Sequence, residues 1–458
     1  MYDTIIIGAG MSGLAAGIRL AHFDRRVCIL ERHHAVGGLN SFYRQRGRLF
    51  DVGLHALTNF VPKGTRRGPL AHLLRQLRVA WDEWSLVPQR GSAIAFPGVT
   101  LEFSNHFEQF AANVARHFPG QEAKLRRLVD TLATYEQLGE RTVCESARRV
   151  VASIIDEPLL REMIFCPVLF YGGAREHDID FGQFSVLFRS IFLEGLGRPT
   201  AGVRVILKKL AERFQALGGE LRLRAGVQRI AVEDGRVHHV ELEDGTELAA
   251  RNVLSSAGWR ETMRLCSVPA DPAAIEPGPI SFVEAISVLD TQPASFGYDR
   301  TMVFFNETDT FDYRQPEDLV DVRSGLICSP SNFLYTEPPG EGMVRISALA
   351  NFRRWAALDP EQYRLEKLRW YDRLAEVAAR HVPDFRSQVI DTDMFTPTTI
   401  RRFTGRDQGA VYGAPTKHYD GRTPVENLYI CGTDQGMVGI VGTLISGIAI
   451  ANRYLLRN

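Results

Sequence analysis

Three glycines and one acid near the start of the chain have the types and spacing for holding a nucleotide. Gly8, Gly10 and Gly13 form a GxGxxG pattern, and Glu31 follows on the far side of a short apolar segment. In such a turn the first glycine permits a tight bend, the second lets the backbone approach a pyrophosphate, and the third allows close packing of helix on strand. An acid in this position accepts hydrogen bonds from ribose hydroxyls and disfavours a 2′-phosphate. The pattern predicts a site for NAD or FAD rather than NADP.

The segments around the glycines are those that a dinucleotide site requires. Residues 4–7 are a β-branched run typical of a strand in a parallel sheet, residues 14–20 indicate a helix of small residues, and residues 27–30 indicate a second strand. The N-terminus of such a helix offers free N–H groups and a partial positive charge to phosphates. This order predicts a Rossmann-like unit. The structural alternative is the same fold with a glycine turn that holds no ligand.

Two later parts of the chain are predicted to return to this unit. Residues 203–217 have helical periodicity and end at a glycine pair, and strand-like segments with a hairpin follow as far as residue 258. Near the C-terminus, residues 427–431 indicate a strand, followed by Gly432-Thr433-Asp434 and a small-residue helix over about 438–454.

Composition excludes several classes of protein. The chain has 54 Lys+Arg and 54 Asp+Glu, with 45% hydrophobic and 24% charged residues, which is typical of a globular protein without the basic excess of a nucleic-acid binder. The six cysteines lack metal-site or CxxC spacing, so we expect no metal centre. The apolar runs 4–18 and 437–451 are shorter than the ~20 residues of a spanning helix. We expect a cytoplasmic protein, either free or peripheral on a membrane.

Together these segments resemble the phytoene desaturase superfamily of FAD-dependent enzymes, particularly its carotenoid isomerase and retinol saturase branch, which is related to the flavin amine oxidases. The likeness rests on an ExxxxxGG extension from Glu31 to Gly38, on residues 395–413, and on an NLY…GTD sequence from Asn427 to Asp434. It implies an α/β fold in which a Rossmann-like FAD-binding domain, a parallel sheet with a β-hairpin insertion, is interleaved with an α+β substrate-binding domain. The expected domains are 1–65, 197–260 and 395–458 for FAD, and 66–196 and 261–394 for the substrate.

The resemblance also assigns residues to FAD. The implied contacts are Gly8, Ala9, Gly10, Ser12, Gly13, Glu31, Arg32, Gly38, Leu39, Val227, Gly432, Asp434, Val438 and Gly439. Val227 is expected to contact adenine through its backbone, and Asp434 a ribitol hydroxyl or a flavin-side amide. The N-terminus of the last helix is expected to face the ring where charge accumulates on reduction. No catalytic group is identified; the polar residues expected nearest the ring are Asp51, His55, Arg401 and Tyr412.

Two segments of the middle region bear on the substrate and its source. Residues 163–192 are dense in apolar and aromatic side chains, which indicates either plain core packing or the wall of a tunnel for an isoprenoid or polyene. Residues 70–84 combine leucines, two tryptophans and nearby arginines, which is typical of a half-buried helix or of a helix on a membrane surface.

The sequence therefore predicts an FAD-dependent oxidoreductase that desaturates, saturates or isomerises C–C bonds of an apolar, carotenoid-like substrate by hydride transfer with flavin N5. The electron acceptor is unknown. Two alternatives stay open: a flavin amine oxidase-type enzyme, and a non-enzymatic prenyl-binding chaperone of the Rab GDP-dissociation-inhibitor kind, which would have a degraded phosphate site.

Overall fold

A computed structural model describes residues 1–53, 56–135, 144–267 and 276–457. In these ranges the helices, α1 to α13 in chain order, are Met11–Ala21, Pro69–Leu77, Phe107–His117, Glu122–Thr134, Ala147–Ala152, Pro158–Gly172, Phe181–Phe188, Arg204–Ala216, Trp259–Leu265, Phe352–Ala356, Pro360–Ala378, Pro397–Thr404 and Gly439–Ile450. The strands, β1 to β20, are Tyr2–Ile7, Val27–Glu31, Phe42–Gln45, Arg48–Asp51, Leu57–Thr58, Leu86–Pro88, Ser92–Phe96, Val99–Phe103, Leu196–Pro199, Glu220–Leu223, Val227–Glu233, Arg236–Leu242, Glu247–Leu248, Ala250–Ser255, Ser281–Leu289, Met302–Asn306, Ser324–Cys328, Gly342–Ala350, Val389–Phe395 and Leu428–Ile430.

The N-terminal strand, turn, helix and strand form the centre of a five-stranded parallel sheet. The strand order is β10-β2-β1-β14-β20, and Ile6 of β1 lies opposite Ile29 of β2 and Leu254 of β14. All five residues of β2 are buried, which explains why its sequence is apolar without alternation. Because the strands are parallel, their carboxyl ends meet at one edge, where the glycine turn lies.

The chain returns to this sheet from two later regions, as the sequence predicts. Helix α8 leads into the edge strand β10, and the hairpin β11–β12 follows with the short strand β13. The hairpin covers one face of the sheet, where Ile230 and Val240 pack with Ile5 and Leu30. The C-terminal strand β20 completes the sheet beside β14. The predicted α/β fold with a hairpin insertion and interleaved units is confirmed.

The second unit is built on a seven-stranded mixed sheet with the order β19-β15-β18-β17-β16-β7-β8. All nine residues of β15 are buried, so this strand lies inside the molecule. An aromatic core formed largely by α3 to α7 covers one face, and α11 packs on the other. The aromatic zone predicted at residues 163–192 belongs mostly to that core.

The segment 70–84, for which a half-buried helix and a membrane-surface helix are the two interpretations, packs its apolar face inside the protein. In α2 the side chains of Leu70, Leu73 and Leu77 are buried in the same core as α1 and α13, together with Trp84. This finding corrects the membrane-surface interpretation of its apolar face. The sequence predicts that this segment belongs to the substrate-binding domain, but it packs on the unit with the parallel sheet. The other domain boundaries stay a prediction. None of the helices in the described ranges is both long and apolar enough to cross a bilayer.

Candidate active site

A cavity of about 320 Å³ lies beside the glycine turn, at the carboxyl ends of β1 and β2. We call it the glycine-rich cavity. Its lining includes nine of the residues assigned to FAD from the sequence: Gly8, Gly10, Ser12, Glu31, Arg32, Gly38, Leu39, Val227 and Gly432. Residues that lie far apart along the chain thus meet at one site.

The three glycines of the turn have different surroundings. Gly8 has a φ of +94°, a conformation that side chains rarely adopt. A Cβ atom on Gly13 would lie 2.1 Å from the carbonyl oxygen of Gly8, so only glycine lets α1 start this close to the turn. A Cβ atom on Gly10 would meet nothing within 4 Å. Gly8 and Gly13 therefore shape the turn, whereas Gly10 keeps the space beside it free for a pyrophosphate.

Glu31 is oriented by backbone donors. Its Oε2 accepts a hydrogen bond from the N–H of Ala9 at 2.9 Å, and its Oε1 accepts one from the N–H of His33 at 3.0 Å. Each carboxylate oxygen can accept more than one hydrogen bond, so Glu31 keeps acceptor capacity for ribose hydroxyls. The N-cap of α1 is Gly10, and no described side chain caps it, which leaves N–H groups for a phosphate. These residues fit the ribose and diphosphate of a dinucleotide.

Asp434 is held by protein groups on both carboxylate oxygens. Its Oδ1 accepts from the N–H of Ala414 at 2.9 Å, and its Oδ2 accepts from the N–H of Trp259 at 2.7 Å and from Arg406 at 2.9 Å. Burial would raise the pKa of Asp434, but the nearby Arg406 charge and the backbone donors lower it below its ordinary value. Its neighbour Thr433 lines the glycine-rich cavity, whereas Asp434 is not among the described lining residues. Its contact with FAD stays a prediction.

A second cavity of about 210 Å³ adjoins the first, and we call it the apolar cavity. The two cavities share the lining residues Leu39, Asn40, Thr433 and Thr443. Most of its other lining side chains are apolar or aromatic: Val52, Ala56, Phe170, Tyr171, Phe282, Leu326, Phe395, Ile400, Val411, Tyr412 and Ile440. A ligand that spans both cavities would have its nucleotide end among the glycines and its other end among these side chains.

Helix α13 begins at the apolar cavity. Gly439 and Ile440 line this cavity, and Gly439 has a φ of +72°. The N-cap residue Val438 packs against the aromatic core. A helix N-terminus carries partial positive charge, so the structure places this charge at the cavity. The contacts of Val438 and Gly439 with a flavin ring stay predictions.

Of the four polar residues expected near the ring, Tyr412 lies in the apolar cavity. Its hydroxyl donates a hydrogen bond to the carbonyl oxygen of Phe170, and burial raises the pKa of Tyr412 well above its ordinary value. The ring is therefore fixed as a neutral phenol in the cavity wall. His55 lies outside the described residues.

Asp51 and Arg401 are not among the described lining residues of the apolar cavity, although their neighbours Val52 and Ile400 are, so their place near the ring stays a prediction. Asp51 is buried in a cluster with Arg198 at 3.2 Å and Arg204 at 3.0 Å. It pins the loop between β9 and α8. Arg401 is exposed, and its guanidinium lies 5.5 Å from the ring centroid of Phe352.

One ionisable side chain in the apolar cavity escaped the sequence reasoning. Glu284 lines the cavity from β15 and is 6% exposed. Its Oε1 contacts the guanidinium of Arg345, which is 1% exposed. The sequence does contain a signal for a buried acid with a partner, because Glu284 interrupts the apolar sequence of β15. Charged residues are rarely buried without a partner. Arg406 lies in the segment 395–413 that carries the resemblance, but its burial as the partner of Asp434 has no signal in the sequence.

Comparisons with known proteins agree with this geometry. The family model of flavin-containing amine oxidoreductases matches residues 11–455. Prolycopene isomerase of Arabidopsis thaliana is 23% identical over 99% of this chain and 82% of its own length. Phytoene desaturase (lycopene-forming) of Pseudescherichia vulneris is 25% identical over 99% of each chain. All-trans-retinol 13,14-reductase of Danio rerio is 21% identical over 100% of this chain and 86% of its own.

Solved structures show the same fold. An oxidoreductase from Methanosarcina mazei superposes with a TM-score of 0.69 at 17% identity, covering 98% of this chain and 100% of that one. Putrescine oxidase bound to putrescine superposes with a TM-score of 0.66 at 15% identity, covering 100% and 98%. The resemblance read from the sequence and the prediction of FAD as the cofactor are both confirmed. The chain belongs to the family of flavin-containing amine oxidoreductases.

Proposed function

We propose that the protein is an FAD-dependent oxidoreductase that alters C–C bonds of an isoprenoid or carotenoid-like substrate. The observation that carries this proposal is the apolar cavity, which adjoins the glycine-rich cavity through four shared residues. Apolar and aromatic side chains dominate its lining, as expected for a site that holds a hydrocarbon chain. Relatives across nearly the whole chain are named as an isomerase, a desaturase and a reductase of polyenes.

The residues that line the two cavities have different roles. When bound, FAD supplies the two-electron chemistry by taking a hydride from a C–H bond or returning one. Gly10, Glu31 and the N-terminus of α1 hold its nucleotide part. Side chains such as Phe170 and Phe282 exclude water and orient the carbon chain, and the N-terminus of α13 favours negative charge at the cavity.

The test is anaerobic incubation of the FAD-loaded protein with phytoene, lycopene isomers, retinol and squalene-type compounds, followed by product mass and isomer analysis. The same panel is run with oxidised and with reduced flavin, because desaturation uses the oxidised form while saturation and isomerisation use the reduced one. We expect at least one polyene to gain or lose two hydrogens or to change geometry. An unchanged panel in both redox states, with flavin demonstrably bound, contradicts the proposal.

Amine oxidation is the second candidate, because Tyr171, Phe282 and Tyr412 place aromatic rings around the cavity and putrescine oxidase has the same fold. An amine substrate is cationic in water, and Glu284 is the acidic side chain among the described lining residues. The contact with Arg345 neutralises that acid, so the cavity has little attraction for a cation. Flavin bleaching by putrescine or cyclohexylamine would favour this candidate.

The chaperone alternative requires a degraded phosphate site. The turn at Gly8, Gly10 and Gly13 keeps the geometry of a phosphate site, and Glu31 remains positioned for a ribose. Together with membership of an oxidoreductase family, these features favour an enzyme. Purified protein that shows no flavin absorbance, and none after addition of FAD, would restore the alternative.

A membrane-dissolved substrate would favour contact with a bilayer. The apolar face of α2 is buried, so such contact at this segment would depend on charge alone. The exposed basic side chains here are Arg66, Arg67, Arg75 and Arg78. We infer weak, salt-sensitive binding to anionic liposomes, and binding that is unchanged when all four arginines are replaced by glutamine contradicts this inference.

A further inference from the structure

Glu284 lies where a proton-transfer group would have to lie. It occupies the buried strand β15, opposite Ser347 of β18 and Phe395 of β19. All three residues line the apolar cavity. Apart from this acid, the ionisable side chains of that described lining are the phenols Tyr171 and Tyr412, which stay protonated at physiological pH. Glu284 is thus the lining group able to change its charge.

The contacts of Glu284 hold it at the cavity wall. The guanidinium of Arg345 contacts Oε1 as an ion pair. The N–H of Gly53 also donates to the carboxylate. Arg345 is itself anchored, because it donates to the carbonyl oxygen of Asp51 at 2.8 Å. The carboxylate is therefore oriented by its neighbours yet keeps acceptor capacity toward the cavity.

The surroundings bring the two charge states of Glu284 closer in free energy than in water. Burial raises the pKa of Glu284 above its ordinary value, and the Arg345 charge, the Gly53 donor and the Arg198 charge offset part of that effect. A carboxyl group whose pKa is raised in this way holds a proton more readily than an exposed glutamate, which suits it to act as a general acid or base. The titratable and charged groups that interact with it or share its cavity are Arg345, Arg198, Tyr43, Cys328, Tyr171 and Tyr412. Asp51 and Asp393 lie one contact further away, on Arg198 and Tyr43.

We propose that Glu284 is the catalytic acid–base residue that exchanges a proton with the substrate in the apolar cavity. This inference rests on the proposed function. In a desaturation, one C–H bond loses its hydrogen as a proton to the Glu284 carboxylate, and the electron pair left behind becomes the second C–C bond. The adjacent carbon loses a hydride to FAD, which is the oxidant, so atoms and electrons balance. Saturation is the reverse, with Glu284 as the proton donor.

The activity test compares Glu284→Gln, Glu284→Asp and a matched control. Glu194→Gln is the control because burial also raises the pKa of Glu194, which accepts a hydrogen bond from Asn59 at 2.7 Å and lies outside both cavities. Removing a general acid or base costs roughly 100-fold or more in rate. We expect that loss per molecule of bound FAD in Glu284→Gln, partial recovery in Glu284→Asp, and no change in Glu194→Gln.

The pH profile of the reaction gives the direction of proton transfer. A desaturation needs the carboxylate, so its rate should rise with pH through the pKa of Glu284, and a saturation should fall through the same range. Glu284→Gln should lose that limb of the profile. A variant that keeps the wild-type rate and the wild-type profile overturns the proposal.

A second readout needs no substrate. Difference infrared spectra of the FAD-loaded protein at stepped pH should show a protonated carboxyl band that persists above the ordinary glutamate pKa of about 4.3. The Glu284 component should vanish in Glu284→Gln and remain in Glu194→Gln. Identical spectra for wild type and Glu284→Gln overturn the proposal. A wild type that acts on no polyene but retains the Glu284 band contradicts the proposed function instead.

Discussion

The glycine-rich cavity and the apolar cavity share four lining residues, but they are built differently. The first is formed by backbone at the carboxyl ends of parallel strands, where Gly8, Gly10 and Gly13 follow one another within a single turn. The second is formed by side chains from elements far apart in the chain, such as Phe170 in α6, Glu284 in β15 and Tyr412 after α12. We infer that backbone geometry serves the nucleotide part of FAD, whereas side chains shape the site for the rest of the ligand.

The two cavities also differ in how their charged groups are arranged. In the glycine-rich cavity, backbone N–H groups and Glu31 supply polarity at the surface of the ligand site. At the apolar cavity, Glu284 is buried with Arg345, and at the junction of the two cavities Asp434 is buried with Arg406, which lines the glycine-rich cavity. Breaking such a buried pair is expensive because it leaves one charge uncompensated. Substitutions in the glycine turn should therefore impair ligand binding, whereas substitutions in a buried pair should lower the free energy of unfolding.

The largest expected effect is a loss of FAD affinity caused by a substitution in the glycine turn that leaves folding unchanged. Gly10→Val adds a side chain where the space is open, so the protein should fold normally but lose FAD affinity by roughly 1000-fold or more, about 4 kcal/mol. Gly340→Val is the control, since this exposed loop glycine also has no neighbour within 4 Å of a Cβ atom. Flavin titration and thermal melting of the apoprotein measure the two quantities. Normal FAD affinity in Gly10→Val would show that the nucleotide lies elsewhere.

The next effect concerns the buried pair at the junction of the two cavities. Asp434→Ala leaves Arg406 buried without its main partner, so the free energy of unfolding should fall by about 3–5 kcal/mol. The control Glu108→Ala breaks the exposed contact with Arg126 and should cost about 1 kcal/mol or less. Denaturant titration of both variants tests the contrast. Equal losses would mean that burial of the Asp434 pair adds nothing.

The half-buried Lys417 near the apolar cavity should give a pH-dependent stability. Burial lowers the pKa of Lys417 to about 8, and its ammonium donates to the carbonyl oxygen of Tyr412 at 2.6 Å. Between that value and its ordinary pKa the unfolded chain binds more protons, so stability should rise with pH across this window. The gain is on the order of 3 kcal/mol at 1.36 kcal/mol per pH unit. Lys417→Met should lose this slope, and the exposed Lys208→Met should keep it; a slope unchanged in Lys417→Met contradicts the assignment.

The smallest effect tests whether the apolar cavity holds the substrate. Val411→Phe enlarges a partly exposed lining residue, and we expect polyene turnover to fall about tenfold through KM, or about 1.4 kcal/mol, with FAD content unchanged. Val99→Phe is a control, because Val99 packs against the aromatic core but is not among the described lining residues. Steady-state kinetics with equal flavin loading would show the difference. A KM unaffected by Val411→Phe would place the substrate outside this cavity.

The difference between the cavities also explains what could be predicted from the sequence. The glycine turn and its flanking strands follow from local patterns, because Gly8 needs a positive φ and Gly13 packs against the carbonyl oxygen of Gly8. Glu284 and Arg345 lie 61 residues apart and meet only through the pairing of β15 with β18. The family resemblance predicts Asp51 near the ring, but it does not predict the buried contacts of Asp51 with Arg198 and Arg204. Long-range pairing of buried charges leaves no spacing signal in one sequence.

The central claim is that the apolar cavity beside the flavin serves a hydrocarbon rather than an amine. Its most direct test follows the flavin absorbance of the loaded protein under anaerobic conditions, with polyenes and amines offered separately. We expect phytoene to bleach the oxidised flavin, or the reduced flavin either to be reoxidised by lycopene or retinol or to isomerise one of them. Putrescine and cyclohexylamine should leave the spectrum unchanged. Rapid bleaching by an amine, with no response to any polyene in either redox state, would contradict it.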